Sequence, residues 1–347
     1  MSKPESVGVI GAGSFGTAVA NLLAENRHVF LYTRRETGVD EMIKTGLSSN
    51  QTLHKNITPS NDIAHVTKSC YVIFPVIPSQ SFKEVIRSMS PYLKPYHVLI
   101  HGTKGLALKK KGLEKLHTQS IIKKEKVMTM SEVIRRESVV VKVGCMAGPN
   151  LAKEIAKEQP AATVIASLFD EVIQEGQAAL KSNRFQVYGS HDIFGVELAG
   201  VLKNILAIGS GLASGLNLGE NAKALLITKG LAEIIHLSKQ LGADVKSFLG
   251  LAGIGDIIAT CSSPASRNYT VGYRLAQGEK IEHILSSMEE VAEGVNTIKI
   301  ANGLANYYKI NCPIIKTLHE GIFGDLQVEV GLQYLMSYKF SMDVEFI

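Results

Sequence analysis

At 347 residues the chain exceeds what one hydrophobic core usually organises, so two domains are expected. Its 45% hydrophobic and 20% charged residues are a globular composition that excludes disorder, collagen and coiled coil, and four widely spaced cysteines, Cys70, Cys145, Cys261 and Cys312, exclude a disulfide scaffold or a CxxC zinc site. The net charge of +5 is local, because residues 104–142 hold eleven Lys/Arg against four Asp/Glu; lacking interleaved aromatics, this segment reads as a solvated face near an anionic ligand and not as a nucleic-acid patch.

The N-terminus passes from a short polar lead directly into VGVIGA (7–12), with no signal-peptide pattern, and a cytosolic protein is expected. That strand-like run ends in Gly11-Ala12-Gly13-Ser14-Phe15-Gly16 and opens a helical pattern over 14–26. In this context GxGxxG reads as a dinucleotide site. Gly11 allows the tight turn, Gly13 lets backbone amides approach a pyrophosphate at the helix N-terminus, and Gly16 permits close packing of helix on strand. The second run, VFLYTR (29–34), should end in an acid if the ribose hydroxyls of NAD were to be bound. Arg34 and Arg35 stand there instead, and guanidinium groups suit a 2′-phosphate; NADP(H) is therefore favoured, with NAD(H) as the alternative.

Further strand-like runs follow at 71–77, 97–102, 139–148 and 162–167, separated by helical patterns. Alternation of this kind, with apolar runs that lack polar alternation, predicts a doubly wound, mostly parallel sheet covered on both faces. Lys104 lies directly after the run 97–102, at the crevice end of such a sheet, where it can meet an anionic substrate.

From about Gly189 the pattern becomes helical, over 193–216, 220–241, 244–251, 267–277, 281–288 and 294–308. The expected organisation is α/β plus all-α, with a dinucleotide-binding domain over 1–190 and a helical substrate domain over 191–347. The uncharged stretch 204–219 contains four glycines and reads as a buried core helix, too short and wrongly flanked for a membrane span. Lys203 and Asn204 sit at its edge. A lysine in so apolar a run either reaches the surface or works in a cleft, where desolvation would lower its pKa toward that of a proton-transfer group. Asp256, a lone acid in LAGIGDIIATC, can hold it, or can simply cap a helix. Ser266, Arg267 and Asn268 follow Pro264; Ser263 can cap the next helix, and Arg267 with Asn268 makes a phosphate clamp. No metal site is expected.

These residues resemble soluble, bacterial-type NAD(P)-dependent glycerol-3-phosphate dehydrogenase. GAGSFGTA, TKGL, AGPNLAKE, GVLKNILAIG, KALLITKGLAE, GLAGIGDIIATC, SRN and VAEGVNT occur in the family's order, nearly end to end. The resemblance implies a Rossmann domain followed by an α-helical domain, and reversible hydride transfer between dihydroxyacetone phosphate and sn-glycerol 3-phosphate, a glycerophospholipid precursor. By position, Ser14, Phe15, Arg34, Ala152, Arg267, Val291 and Glu293 fall at cofactor contacts and Lys104 at a contact to both ligands. Gly148, Asn150, Asn204, Asp256, Ser266, Arg267 and Asn268 fall at substrate positions, and Lys203 at that of the proton acceptor. Two features depart toward the eukaryotic relatives: Asn150 after Gly148-Pro149, which keeps a donor and an acceptor, and a longer stretch over 119–142. The implied partners are a small phosphate substrate, no nucleic acid and no membrane span, with a homodimer admitted. A β-hydroxyacid dehydrogenase of similar build and a non-catalytic dinucleotide sensor are the rival readings.

Overall fold

The computed structural model describes residues 5–109, 116–117 and 120–338. The chain divides into two compact units, Met1–Lys104 with Thr129–Glu197, and Gly105–Met128 with Leu198–Ile347. This differs from a split at 190/191 in two respects. The division falls inside a continuous helix, Ile193–Gly215, and residues 105–128 belong to the helical unit, where the Ile122 N–H bonds the Gly303 carbonyl at 2.9 Å. Parts of the expected domains, and residues 110–115 and 118–119 of the basic segment, lie outside the described residues.

The first unit runs β1 (Val7–Ile10), α1 (Ser14–Ala24), β2 (Val29–Tyr32), α2 (Glu36–Thr45), β3 (Leu47–Ser48), β4 (Gln51–Thr52), β5 (Ile57–Ser60), α3 (Ile63–Ser69), β6 (Val72–Pro75), α4 (Ser79–Met89) and β7 (Val98–His101). Strands β8 (Ala107–Leu108) and β9 (Val127–Met128) form an antiparallel pair in the second unit. The first unit resumes with α5 (Met130–Glu137), β10 (Lys142–Ala147), α6 (Ala152–Ala156), β11 (Ala161–Ser167), α7 (Asp170–Leu180) and β12 (Phe185–Ser190).

Eight strands form one sheet in the order β12-β11-β10-β7-β6-β1-β2-β5. All neighbours are parallel except β10 with β11. The chain enters at β1, winds outward through β2 to β5, and returns to β6 on the other side of β1. That reversal is the switch point at which open α/β sheets bind ligands. Strands β1, β6 and β7 are buried throughout, as helices on both faces require. Two strands of this sheet are not expected from the sequence, and both are its edges: β5 contains Pro59, which only an edge tolerates, and β12 alternates buried Phe185 and Val187 with exposed Gln186 and Tyr188. The two-residue strands β3, β4, β8 and β9 are likewise unexpected, being too short to leave a pattern.

The second unit takes in most of α8 (Ile193–Gly215), then α9 (Glu220–Leu241), α10 (Lys246–Leu249), a π-helical turn (Leu251–Gly255), α11 (Asp256–Cys261), α12 (Arg267–Ala276), α13 (Ile281–Ser287), α14 (Glu293–Tyr308), α15 (Pro313–Phe323) and α16 (Val328–Ser337). The expected helix over 244–251 is broken at Gly250, whose extended backbone (φ −94°, ψ −164°) ends α10 before the wider π turn. By length and composition α8 could cross a membrane, contrary to the shorter reading of 204–219, but 94% of its apolar stretch is buried inside the protein. Glycine sets its packing. A Cβ on Gly211 would lie 2.0 Å from the Tyr269 carbonyl oxygen, and one on Gly272 2.0 Å from that of Ile208, so α8 and α12 meet backbone to backbone.

Glu233 on α9 accepts the backbone N–H groups of Ile314 and Ile315 at 2.7 and 3.0 Å, capping α15 from a distance. Burial pushes its carboxyl from an ordinary 4.5 up to about 8, against the lowering effect of those two bonds. In this interval the native state keeps a proton that the unfolded chain has released, so this group's contribution to stability falls as pH rises from about 4.5 to 8. Glu233→Gln cannot titrate. The melting temperature of wild type relative to this variant is therefore expected to drop between pH 5 and pH 8, and a constant difference would contradict the assignment.

Candidate functional site

In the first unit the glycine turn sits at the switch point. Gly11 has φ +118°, and a Cβ there would lie 2.3 Å from the Val76 carbonyl oxygen at the end of β6; one on Gly16 would lie 1.9 Å from that of Gly11. The Gly11 N–H bonds the Tyr32 carbonyl at 3.0 Å. Helix α1 opens at Ser14 with Gly13 as its N-cap and no side chain capping its amides, so the first turn presents N–H donors at a positive helix end. The Phe15 ring reaches Gly102, where a Cβ would lie 3.1 Å from it. Arg34 and Arg35 are exposed beyond β2, and no acid stands at that strand's end. A cradle that any Cβ would fill, uncapped amides and two exposed cations together fit a dinucleotide.

Farther along this unit, the Lys104 Nζ donates to the Gly148 carbonyl at 3.0 Å and the Thr103 hydroxyl to the Ile77 carbonyl at 2.6 Å, fixing the loop after β7. His101, just before it, donates from Nε2 to buried Glu197 at 2.9 Å. Burial works against the Glu197 charge, but His101 and Ser131 hold its carboxyl below the ordinary range. Asn150 is turned into the sheet: its Nδ2 donates to the Ala162 carbonyl at 2.9 Å, and its Oδ1 accepts from Thr163 at 2.8 Å. Ala152 is the first residue of α6 and packs on the core.

In the second unit Lys203 is only 5% exposed. Its Nζ donates to Asp256 Oδ1 at 3.1 Å and to Thr260 Oγ1, whose hydroxyl donates in turn to Asp256 at 2.9 Å. The π turn delivers this geometry by resetting the register before α11, where Asp256 and Thr260, four apart, share one face. A Cβ on Gly253 would lie 2.0 Å from the Phe248 carbonyl oxygen, so this close backbone approach needs glycine there. Asp256 is thus no capping residue. Thr260 was missed in the sequence, although the i+4 spacing from Asp256 signals it.

Beside Lys203, Asn204 Oδ1 accepts from Asn268 Nδ2 at 2.9 Å, and Asn268 Oδ1 accepts from the Gly294 N–H at 2.9 Å, so one amide ties α8, α12 and the start of α14 together. Ser266, not Ser263, caps α12, accepting from the Tyr269 N–H at 3.3 Å; Ser263 instead accepts from Ala265, because Pro264 holds the intervening turn. Arg267, its side chain 46% exposed, donates to the Val291 carbonyl at 3.1 Å and lies 3.5 Å from Glu290, while Glu293 opens α14. Among the described residues no group of His, Cys, Asp and Glu side chains could hold a metal ion.

Comparison with known proteins agrees with both halves. The family profile for the NAD-dependent glycerol-3-phosphate dehydrogenase N-terminus matches residues 6–172, and that for the C-terminus residues 192–333. Glycerol-3-phosphate dehydrogenase [NAD(P)+] of Pseudomonas putida strain KT2440 is 39% identical, with 100% of this chain and 98% of the relative covered. That of Pseudomonas aeruginosa strain LESB58 is 38% identical at the same coverage. A crystal structure of glycerol-3-phosphate dehydrogenase from Coxiella burnetii superposes with a TM-score of 0.86 at 32% identity, over 96% of this chain and 99% of that one.

Proposed function

The chain belongs to the NAD-dependent glycerol-3-phosphate dehydrogenase family, and on that premise we propose that it reduces dihydroxyacetone phosphate reversibly to sn-glycerol 3-phosphate with these residues in the roles below. The observation that carries the reading is the buried Lys203–Asp256–Thr260 triangle. A bound nicotinamide dinucleotide supplies the hydride.

Gly11 and Gly16 let the turn pack against β6 and on itself, Gly13 lets the backbone approach the pyrophosphate, and the first-turn amides of α1 at Ser14 and Phe15 bind it. The Lys203 ammonium donates to the substrate's carbonyl oxygen and passes it a proton as alkoxide charge develops; in the reverse direction it takes the hydroxyl proton. Asp256 offsets the cost of burying that cation, and Thr260 fixes its direction. Ser266, Arg267 and Asn268 hold the phosphate, so binding energy remote from the reaction aligns the reacting carbon. Asn204 keeps Asn268 in place. Lys104, Gly148 and Asn150 complete the proposed substrate contacts. Ala152, Arg267, Val291 and Glu293 complete those to the cofactor. The reading places the chain in the cytoplasm, which four buried cysteines without a disulfide support.

NADP(H) is the proposed cofactor, supported by Arg34 and Arg35 where an acid would select NAD. One set of steady-state measurements tests substrate and cofactor together. Dihydroxyacetone phosphate should be reduced far faster than 3-oxoacids, NADPH should be used better than NADH, and the cofactor preference should fall as salt screens an exposed contact. Arg34→Asp should move selectivity toward NADH, since aspartate accepts from ribose hydroxyls and repels a 2′-phosphate. Preferential use of 3-oxoacids would contradict the substrate assignment. NADH preference in wild type, or an unchanged ratio in the variant, would overturn the cofactor assignment.

A further inference from the structure

The hairpin formed by β3 and β4 lies against the glycine turn without belonging to the main sheet. Its two turn residues, Ser49 (φ +46°) and Asn50 (φ +60°), are both left-handed, as a two-residue type I′ turn requires. Non-glycine residues hold such conformations where the surroundings fix them, and here the surroundings are the turn and α1. Ser49 Oγ donates to the Ala12 carbonyl at 3.0 Å and Ser48 Oγ to the same oxygen at 3.3 Å. Gln51 Nε2 donates to the Ser14 carbonyl at 2.7 Å. Farther along α1, Ser48 and Thr17 share a hydroxyl bond of 2.8 Å, and Asn21 bonds the Thr52 carbonyl and the His54 N–H, each at 2.9 Å.

We propose that this hairpin is a positioning clamp for the pyrophosphate-binding amides, an inference that rests on the dinucleotide reading above. The described peptide bonds are all trans. In a trans peptide the carbonyl and the next residue's N–H point in opposite directions. Holding the Ala12 oxygen toward Ser48 and Ser49 therefore turns the Gly13 N–H to the other side. Holding the Ser14 oxygen toward Gln51 does the same for the Phe15 N–H. These donors belong to the uncapped start of α1.

Gln51 is fitted to donate. Its Oε1 is buried without a partner among the described residues, and an amide rotated by half a turn would set that oxygen against the Ser14 carbonyl. The clamp touches neither the adenosine nor the nicotinamide selectively, so its effect should be equal for every ligand that carries the pyrophosphate.

The test is titration calorimetry of the whole chain with ADP-ribose, NADPH and NADH. Gln51→Met preserves volume and removes the donor; Ser49→Ala alters an exposed residue and leaves folding intact. Each should weaken all three ligands by about three- to tenfold, the effect of one lost hydrogen bond, and the double variant by more. Unchanged affinities in variants of a wild type that binds these ligands would overturn the clamp while leaving the dinucleotide site standing. A loss for NADPH with none for ADP-ribose would also overturn it. Failure of the wild type to bind any of them would instead overturn the dinucleotide reading itself.

Discussion

Lys203→Ala is expected to lower turnover by about 10² to 10⁴ while leaving dinucleotide affinity near that of wild type, because in the proposed mechanism the lysine acts on the substrate oxygen. Its ammonium is buried against Asp256 and Thr260, so alanine also strands a buried carboxylate. Removing one partner of such a pair costs about 3–5 kcal/mol of stability, enough to confuse loss of fold with loss of chemistry. Lys203→Arg separates the two. It keeps a cation beside Asp256 but cannot release a proton at working pH. The arginine variant should fold, bind the dinucleotide and still be nearly inactive. If either variant retained more than half of wild-type turnover, Lys203 would not be the proton carrier.

Arg267→Ala is expected to raise the Michaelis constant for dihydroxyacetone phosphate much more than it changes dinucleotide binding. A charge-assisted contact to phosphate contributes about 1.5–3 kcal/mol, roughly ten- to a hundredfold. The side chain is 46% exposed, so solvent screening argues for the lower part of that range. The Val291 carbonyl and Glu290 carboxylate already orient the guanidinium, which reduces the ordering cost of binding. Dihydroxyacetone without phosphate provides the control. It should be a poor substrate for wild type and little worse for the variant; an equal handicap from losing the phosphate in both proteins would remove Arg267 from that role.

Much of this was legible in the sequence because the signals are local. The glycine turn follows a strand and opens a helix within a few residues, and the buried strands β1, β6 and β7 are uninterrupted apolar runs. Helices α8, α9, α12 and α14 stand within a residue or so of their periodic patterns. Lys203 was conspicuous because a charge in an apolar helix demands a reason.

What stayed hidden depends on contacts between distant residues. Pro59 made β5 look unlike a strand, and only its place at the sheet edge explains the tolerance. Residues 105–128 precede β10 in the chain but pack with α14 through Ile122, a pairing no periodicity reports. The commitment of the Asn150 amide to Ala162 and Thr163 follows from the antiparallel register of β10 and β11. The capping role of Ser266 in place of Ser263 was decided by the turn at Pro264. The spacing of Asp256 and Thr260 pairs them on one face, but their approach to Lys203 needs the π turn, whose register shift leaves no mark in composition beyond its glycines.

In the proposed mechanism hydride passes to the central carbon of dihydroxyacetone phosphate and the oxygen is protonated from Lys203. Turnover with NADPH carrying deuterium on the transferred position of its nicotinamide, followed by magnetic resonance of the product, tests it most directly. The expected product is sn-glycerol 3-phosphate with deuterium on the central carbon and none elsewhere. A product without that label, or cofactor oxidation that leaves dihydroxyacetone phosphate unchanged, would contradict it.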